Sequence, residues 1–586
     1  MKEIVAACLV TLFIYPQIMA KTRTVNLRIV ETSDVHGNFF PYDFINRKPR
    51  AGSLARVITY VDSLRNSYGN NLILVDNGDI LQGQPTCYYC NYVKPEIPNV
   101  AASVINYMKY DVEAIGNHDI ETGHTVYDKW IGEVKCPMIG ANITDTKTGQ
   151  PYVHPYTMLD RDGIRIAILG MLTPAIPNWL NENLWSGLRF DEMISSAKYW
   201  MNVIKKNENP DIIIGLFHSG RDGGITTKTY VENASIEVAK LVPGFDLILY
   251  GHDHTRHSET IENIAGQKVL CLDPSCNAYM VSDAQIVIKK EDNKIISKNI
   301  VGDVVNVSNQ PIDEKFMSYF KADIDSINAF VNRKIGYFKN SIYTRDCYFG
   351  NAAFTDFIHD LQLKITGADI SVNAPLSFNT SIEAGNVYIS DLFNLYKYEN
   401  QIYVMKMSGK EIRNFLEMSY DLWCNTMKSP DDHIILMDTD VKENHNKYGF
   451  KNLAFNFDSA AGINYEVDVT KPNGQKVHIL KMSNGQPFDE SKWYKVAMNS
   501  YRGNGGGELL TRGAGIPHDQ IKSRILYESE KDQRYYLMKE IEKTAVINPQ
   551  AHNNWRFVPE KWAKPAIARD RALIFGSVLD LNDEKQ

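Results

Sequence analysis

Five short polar clusters, each set just after an apolar, β-rich run, constrain this chain more than any other feature of its sequence. They are Asp34 and His36 in DVHG, Asp79 in NGD, Asn117 and His118 in GNHD, His218 in FHSG, and His252 and His254 in GHDH. The runs before them are Val25 to Thr32, Leu72 to Asp76, Val112 to Ile115, Ile212 to Phe217 and Phe245 to Tyr250, with a further run at Ile164 to Leu169. Leu54, Val57, Ile58, Val61 and Leu64 recur at helical spacing between the first two runs and predict a crossover helix. Short strands alternating with helical patterns predict a layered α/β domain, a two-sheet sandwich flanked by helices. In an open α/β sheet the loops at the strand carboxyl ends converge on one crevice, which lets residues as distant in sequence as Asp34 and His254 meet.

Carboxylates and neutral imidazoles together suit Mn, Fe, Co or Zn, whereas an all-oxygen set suits Mg or Ca. The donors here suffice for two divalent ions. A carboxylate shared between them, for which Asp79 is the candidate, would hold the ions about 3.5 to 4 Å apart, a spacing suited to clamping a phosphate. Any one cluster alone is more often a capped loop or a packed core histidine. Five in order at successive strand ends are hard to obtain from structural need alone.

A length of 586 residues exceeds one ordinary hydrophobic core and predicts at least two domains. The expected layout is a leader over 1–20, the α/β domain over 21–305, a linker helix within 306–335, an α+β domain over 336–560 and a charged tail over 561–586. The linker helix rests on Ile312, Phe316, Phe320, Ile324, Ile327 and Val331, which keep a helical period. In the α+β half, Ser408 and Glu411 form a capping box that opens a helix. Lys2, the apolar run Ile4 to Ile14 and small Ala20 read as a secretory signal, and no later stretch is long and apolar enough to span a bilayer. Cys8 falls inside that run. Beyond it, Cys87 and Cys90 predict a local disulfide or two reduced thiols, Cys271 and Cys276 are a second candidate pair, and the odd total leaves one thiol over. A net charge of -7 without a basic stripe excludes a nucleic-acid polymer as the expected partner and leaves mononucleotides.

With these motifs in place, the sequence resembles the calcineurin-like metallophosphoesterases, whose pattern is D-x-H, G-D, G-N-H-[DE], a later H, and G-H-x-H. The resemblance implies two metal ions, drawn from Mn, Zn, Co, Fe or Mg. It places Asp34, His36, Asp79 and His254 around one, and Asp79, Asn117, His218 and His252 around the other. His118 matches the family histidine that contacts the phosphate, and either Glu121 or Asp119 orients it. An imidazolium can donate a proton to a leaving alkoxide near neutral pH.

The second half resembles the 5'-nucleotidase C-terminal domain through GNAAFTDFIHDL, TGADISVNAP, LYKYEN, MSGKEIRNFLE and NSYRGNGGG. This likeness implies that Tyr398 and Tyr501 sandwich a nucleobase, with Asn400 as its hydrogen-bond partner; base stacking contributes about 1 to 3 kcal/mol per base. Where typical 5'-nucleotidases carry an arginine-bearing N-G-G-G-I-R, this chain has NAPLSFNTSIEAG from Asn373. That departure is similar to the 2',3'-cyclic-nucleotide 2'-phosphodiesterase/3'-nucleotidase branch. The expectation is an exported, periplasmic or cell-surface enzyme that opens 2',3'-cyclic nucleotides to 3'-nucleotides and hydrolyses these to nucleoside and phosphate with a metal-activated hydroxide. The alternatives are a 5'-nucleotidase or UDP-sugar hydrolase and, in another class, a secreted nucleotide-binding protein whose metals are structural.

Overall fold

The computed structural model describes residues 22–291, 294–438 and 449–576. The expected leader and Cys8 lie outside them, as do residues 577–586 of the expected tail. The first domain is built on two six-stranded sheets. One runs, in spatial order, Lys294–Asn306, Met280–Glu291, Thr22–Thr32, Leu72–Asp76, Val112–Ala114 and Met138–Ile139. The other runs Arg256–Glu262, Lys268–Pro274, Leu247–Tyr250, Ile212–His218, Ile164–Leu172 and Tyr156–Arg161. Central strands pair in parallel, Thr22–Thr32 with Leu72–Asp76 and Ile212–His218 with both of its neighbours.

Alternation within each strand decides the layers. Ile212, Ile214 and Leu216 point inward with Ile166 and Ile168 to meet Leu27, Ile29, Ile73 and Val75 of the facing sheet. Ile213 and Phe217 point outward and pack with Met193, Ala197, Met201 and Ile204 of helix Met193–Asn207. On the other side, Leu54, Val57, Ile58 and Val61 of helix Leu54–Tyr68 cover Val30 and Leu74. Strands buried on both faces read as continuous apolar runs. Each Ile, Leu or Val so buried contributes about 1.5 to 3 kcal/mol. The six expected strands and the crossover helix are all present, within a few residues of the expected bounds.

The expected linker helix is two helices, Glu314–Tyr319 and Lys321–Val331, which meet at Phe320. Phe320 has φ -91° and ψ 13°, outside the helical region, while Asp313 caps the first helix by accepting from the Phe316 amide at 2.6 Å. Phe316 and Phe320 pack 6.1 and 5.9 Å from the Phe40 ring, so this segment belongs to the first domain's outer core.

The second domain centres on a five-stranded sheet in the order Ser459–Ala461, Ile370–Asn373, Trp493–Asn499, Gln401–Ser408 and Ile525–Asp532. The capping box closes as read: Ser408 Oγ accepts from the Glu411 amide at 3.3 Å and Glu411 from the Ser408 amide at 2.7 Å. Residues after Pro559, read as an uninformative tail, instead form helix Glu560–Phe575. Ala563, Ala566 and Ile574 of that helix enter the core beside Trp423, Trp555 and Phe557.

All seven described cysteines are free thiols. Cys87 and Cys90 take the reduced alternative. The suggested Cys271 to Cys276 pair does not form, because Cys271 points into the outer core from strand Lys268–Pro274 while Cys276 sits in the following loop against Asn277.

Asp570 anchors the C-terminal helix. Its carboxylate accepts from the amides of Ile434 at 2.7 Å and Ile435 at 3.0 Å, and its other oxygen meets His433 Nδ1 at 2.6 Å. Asp570→Ala leaves two buried amides unpaired and is predicted to cost about 2 to 4 kcal/mol in urea unfolding. A loss below about 1 kcal/mol would show that the helix docks without this carboxylate.

Candidate metal centre and active-site cleft

All the central parallel strands of the first domain end on one edge, and the five polar clusters hang from that edge. Tight turns are needed there. Asp34, His36, Asp79, His252 and His254 all adopt positive φ, between 49° and 88°, a region that non-glycine residues enter at a cost of about 1 to 3 kcal/mol each. Glycines make room beside them. A Cβ on Gly116 would stand 2.1 Å from Asp79 Oδ1, and one on Gly251 would stand 2.5 Å from Asp34 Oδ2, so only glycine lets these loops approach the carboxylates.

The side chains converge in two groups that share Asp79. Asp34, His36, Asp79 and His254 offer ligand atoms within 4.8 Å of one another, and so do Asp79, His218 and His252. In the first group, His36 Nε2 and His254 Nε2 face each other at 3.0 Å, and His254 Nε2 lies 3.3 Å from Asp34 Oδ1. In the second, His218 Nε2 lies 3.2 Å from Asp79 Oδ2 and 3.1 Å from Asn117 Oδ1. The opposite ring nitrogens are fixed by backbone carbonyls: His36 Nδ1 donates to Gln82 at 3.2 Å and His218 Nδ1 to Asn77 at 2.7 Å. That arrangement turns each Nε2 toward the shared centre, as a metal-binding imidazole requires.

The buried oxygens test whether cations fit. Asp34 Oδ1 and Asp79 Oδ2 are buried and accept no well-aligned hydrogen bond, although His254 Nε2 and His218 Nε2 stand 3.3 and 3.2 Å from them. Their surroundings are ring nitrogens, with His36 and His218 each 4.0 Å from Asp34 Oδ1. A buried carboxylate oxygen without a well-aligned donor is costly, and a divalent ion among these imidazoles satisfies it. The donor set fits divalent cations.

Electrostatics point the same way. Burial by itself would raise Asp34 and Asp79, but the charges of His218 on both, of His254 on Asp34 and of His118 on Asp79 hold them below the usual carboxylate range. Burial would lower His218, yet Asp79 and Asp34 raise it to about 9. His254, opposed by burial and supported by Asp34, reaches about 11. His36 is pushed down to about 3 by burial and by the neighbouring His254.

His118 stands beside the shared carboxylate, its backbone amide donating to Asp79 Oδ1 at 2.8 Å. The structure decides between its two candidate acids. Glu121 Oε2 lies 2.5 Å from His118 Nδ1. Asp119, also read as a candidate partner, does not serve it: its carboxylate accepts from the amides of Gly116, Asp79, Ile80 and Leu81 at 2.8 to 3.0 Å and is fully occupied in holding two loops together. Helical spacing explains the outcome, since positions three apart share a face and adjacent ones do not. Burial would lower His118, and Asp79 with Glu121 raises it to about 9.

Asn117, His118, Glu121 and His252 line one side of a cleft of about 910 Å³. Tyr398, Asn400 and Tyr501 line it from the second domain. Three further residues there were not singled out in the sequence. Phe455 sets its ring edge-on to Tyr501 at 6.2 Å, Trp179 lies 5.7 Å from the His252 ring, and Glu232 Oε1 lies 3.2 Å from His252 Nε2. None carries a local motif, and a single aromatic in an apolar stretch is indistinguishable from packing.

Two outcomes test this geometry. Divalent cation uptake must displace the protons of His218 and His254, so affinity is predicted to rise with pH, more steeply up to about 9, where His218 loses its proton unaided, and further up to about 11, where His254 does. Calorimetry in buffers of different ionisation enthalpy should detect proton release at pH 7, and pH-independent binding without release would contradict the assignment. Asp119→Ala should lose cation binding and thermal stability together, because four amides lose their acceptor, whereas Glu121→Ala should keep both; the reverse order would overturn the division of roles.

Comparison with known proteins agrees with this architecture. Residues 27–256 match the calcineurin-like phosphoesterase family and residues 334–512 match the 5'-nucleotidase C-terminal domain, together more than half of the chain. The trifunctional nucleotide phosphoesterase YfkN of Bacillus subtilis is 27% identical over 91% of this chain, which spans 39% of that protein's length. The 2',3'-cyclic-nucleotide 2'-phosphodiesterase/3'-nucleotidase of Yersinia enterocolitica is 26% identical, covering 94% of this chain and 91% of its own. In fold, a Staphylococcus aureus protein provisionally assigned as a 5'-nucleotidase and solved with alpha-ketoglutarate aligns at TM-score 0.75 and 20% identity, over 91% of this chain and 99% of that one. The chain therefore belongs to the metallophosphoesterases that join a calcineurin-like catalytic domain to a 5'-nucleotidase C-terminal domain.

Proposed function

We propose that this chain is an exported phosphoesterase that opens 2',3'-cyclic nucleotides to 3'-nucleotides and then hydrolyses these to nucleoside and phosphate. The observation that carries the reading is one cleft bounded by His118, Asn117 and His252 on one side and by Tyr398, Asn400 and Tyr501 on the other. A phosphate near His118 and a base between rings of the second domain fit that space. The names of the Yersinia and Bacillus relatives support nucleotides as the substrate class. The segment NAPLSFNTSIEAG, which lacks the arginines of typical 5'-nucleotidases, favours cyclic and 3' substrates. Among the described residues no helix is long and apolar enough to cross a membrane.

In this reading, Asp34, His36, Asp79 and His254 would hold one divalent ion and Asp79, Asn117, His218 and His252 the other. Bound ions would supply charge neutralisation at the phosphate oxygens and activation of a water. The chain's own residues do the rest. Glu121 fixes the His118 ring through Nδ1, which leaves Nε2–H directed at the leaving oxygen, the ribose 2' oxygen in the first reaction and the 3' oxygen in the second. Donation from Nε2 turns each alkoxide into a hydroxyl, and aromatic stacking holds the base while the ribose is repositioned.

Steady-state rates on 2',3'-cyclic AMP, 3'-AMP, 5'-AMP and UDP-glucose, with one metal throughout, rank the alternatives; dominant turnover of 5'-AMP would make this a 5'-nucleotidase instead. His118→Ala is predicted to lower kcat by about 10² to 10⁴ with metal content unchanged. Wild-type protein without turnover under any metal would favour a binding protein with structural ions.

A further inference from the structure

Residues Tyr396 to Asn400 lie between helix Ile389–Leu395 and strand Gln401–Ser408 and form neither helix nor strand themselves. Tyr398, Glu399 and Asn400 nevertheless line the cleft, so something other than a backbone ladder must fix them.

Two consecutive residues opening helix Gln533–Thr544 do so. The Gln533 amide donates to the Asn400 carbonyl at 2.8 Å. Arg534 donates through Nε to the Tyr396 carbonyl at 3.0 Å, through Nη2 to the Lys397 carbonyl at 2.6 Å and through Nη1 to Glu399 Oε1 at 2.8 Å. Four of the five residues are thereby tied, and Tyr398 is the one whose ring is left for the cleft. Arg534 is 1% exposed, and its guanidinium lies 4.1 Å from the Phe393 ring centre and 4.8 Å from that of Tyr88, a residue of the first domain. Tyr88 also donates to Asp532 Oδ2 at 3.1 Å. Glu399 reaches across as well: its Oε2 accepts from Gln82 Nε2 at 3.1 Å, and the Gln82 carbonyl is the acceptor that orients His36.

The geometry points to Arg534 as a positioning residue for substrate binding, its guanidinium fixing the Tyr396 to Asn400 stretch against the loop that carries Asp79 and Gln82 so that Tyr398 and Asn400 meet the base. This rests on the nucleotide reading above. A planar fork is what the site uses: three acceptors in different directions and two aromatic faces match a guanidinium, while an ammonium has no plane to stack and cannot keep this geometry. Its buried charge is balanced by Glu399, so the pair acts as a unit.

The test is steady-state kinetics of the full chain with 2',3'-cyclic AMP and with bis(p-nitrophenyl) phosphate, which has no base to stack. Arg534→Lys is expected to raise KM for the nucleotide about tenfold with kcat within about twofold, and to change kcat/KM for the aryl diester by less than about twofold. Equal losses on both substrates, or an unmoved nucleotide KM, would overturn the assignment. Glu399→Gln keeps a neutral acceptor for the fork and is expected to raise the nucleotide KM about threefold, which decides the matter if Arg534→Lys fails to fold. Wild-type protein that hydrolyses the aryl diester but no nucleotide would sink the nucleotide reading and this proposal with it. Wild-type turnover of nucleotide beside an unchanged Arg534→Lys KM sinks the proposal alone.

Discussion

Two buried carboxylates held against converging imidazole nitrogens are the interaction on which the rest of the catalytic domain depends. Burial acts on Asp34 and Asp79 as it does on Glu31, Asp76 and Glu113, all of them within or just after strands of the same sheet. The outcomes are opposite. Glu31 and Glu113 are driven well above the carboxylate range and Asp76 to about 7, chiefly by burial and then by acidic neighbours. Asp34 and Asp79 stay ionised because His218 faces both, His254 faces Asp34 and His118 faces Asp79. The difference is one of partners, and it concentrates negative charge where cations can be held.

Sustaining that concentration requires a rigid frame. Five of the converging side chains sit in left-handed backbone, a conformation that persists only where surrounding structure over-determines it. The sandwich supplies this. Each loop begins at the end of a strand buried on both faces, and Asp119 ties the loop of Asp79 to that of Gly116 through four amides. The first core thus stores the strain, and the helices over each sheet close it from outside.

The two domains divide the labour. Every group able to ligate a cation in the clustered site comes from the first domain. The rings of Tyr398, Tyr501 and Phe455 come from the second, and the cleft exists only where both meet. Contacts across that boundary include the polar pairs Gln82 with Glu399, Tyr88 with Asp532 and Asn181 with Glu528 at 2.6 Å, beside the Tyr88 and Phe393 rings at 5.5 Å. Boundaries of this kind resemble transient interfaces more than a shared core.

Much of this was legible in the chain itself. Apolar runs with short polar endings set the strands, the layers and the edge on which Asp34, Asp79, His218 and His254 gather, because strand periodicity and loop chemistry are local properties. The capping box at Ser408 was legible for the same reason. Tertiary structure alone decided the partner of His118, since Glu121 and Asp119 are both acids within reach and only the fold shows that Asp119 is consumed by amides from a distant loop. It alone brought Phe455 to Tyr501, buried a helix where charged residues suggested a tail, and tied Tyr396 to Asn400 through Arg534. Those facts depend on contacts between segments far apart in sequence, for which a single chain carries no periodic signal.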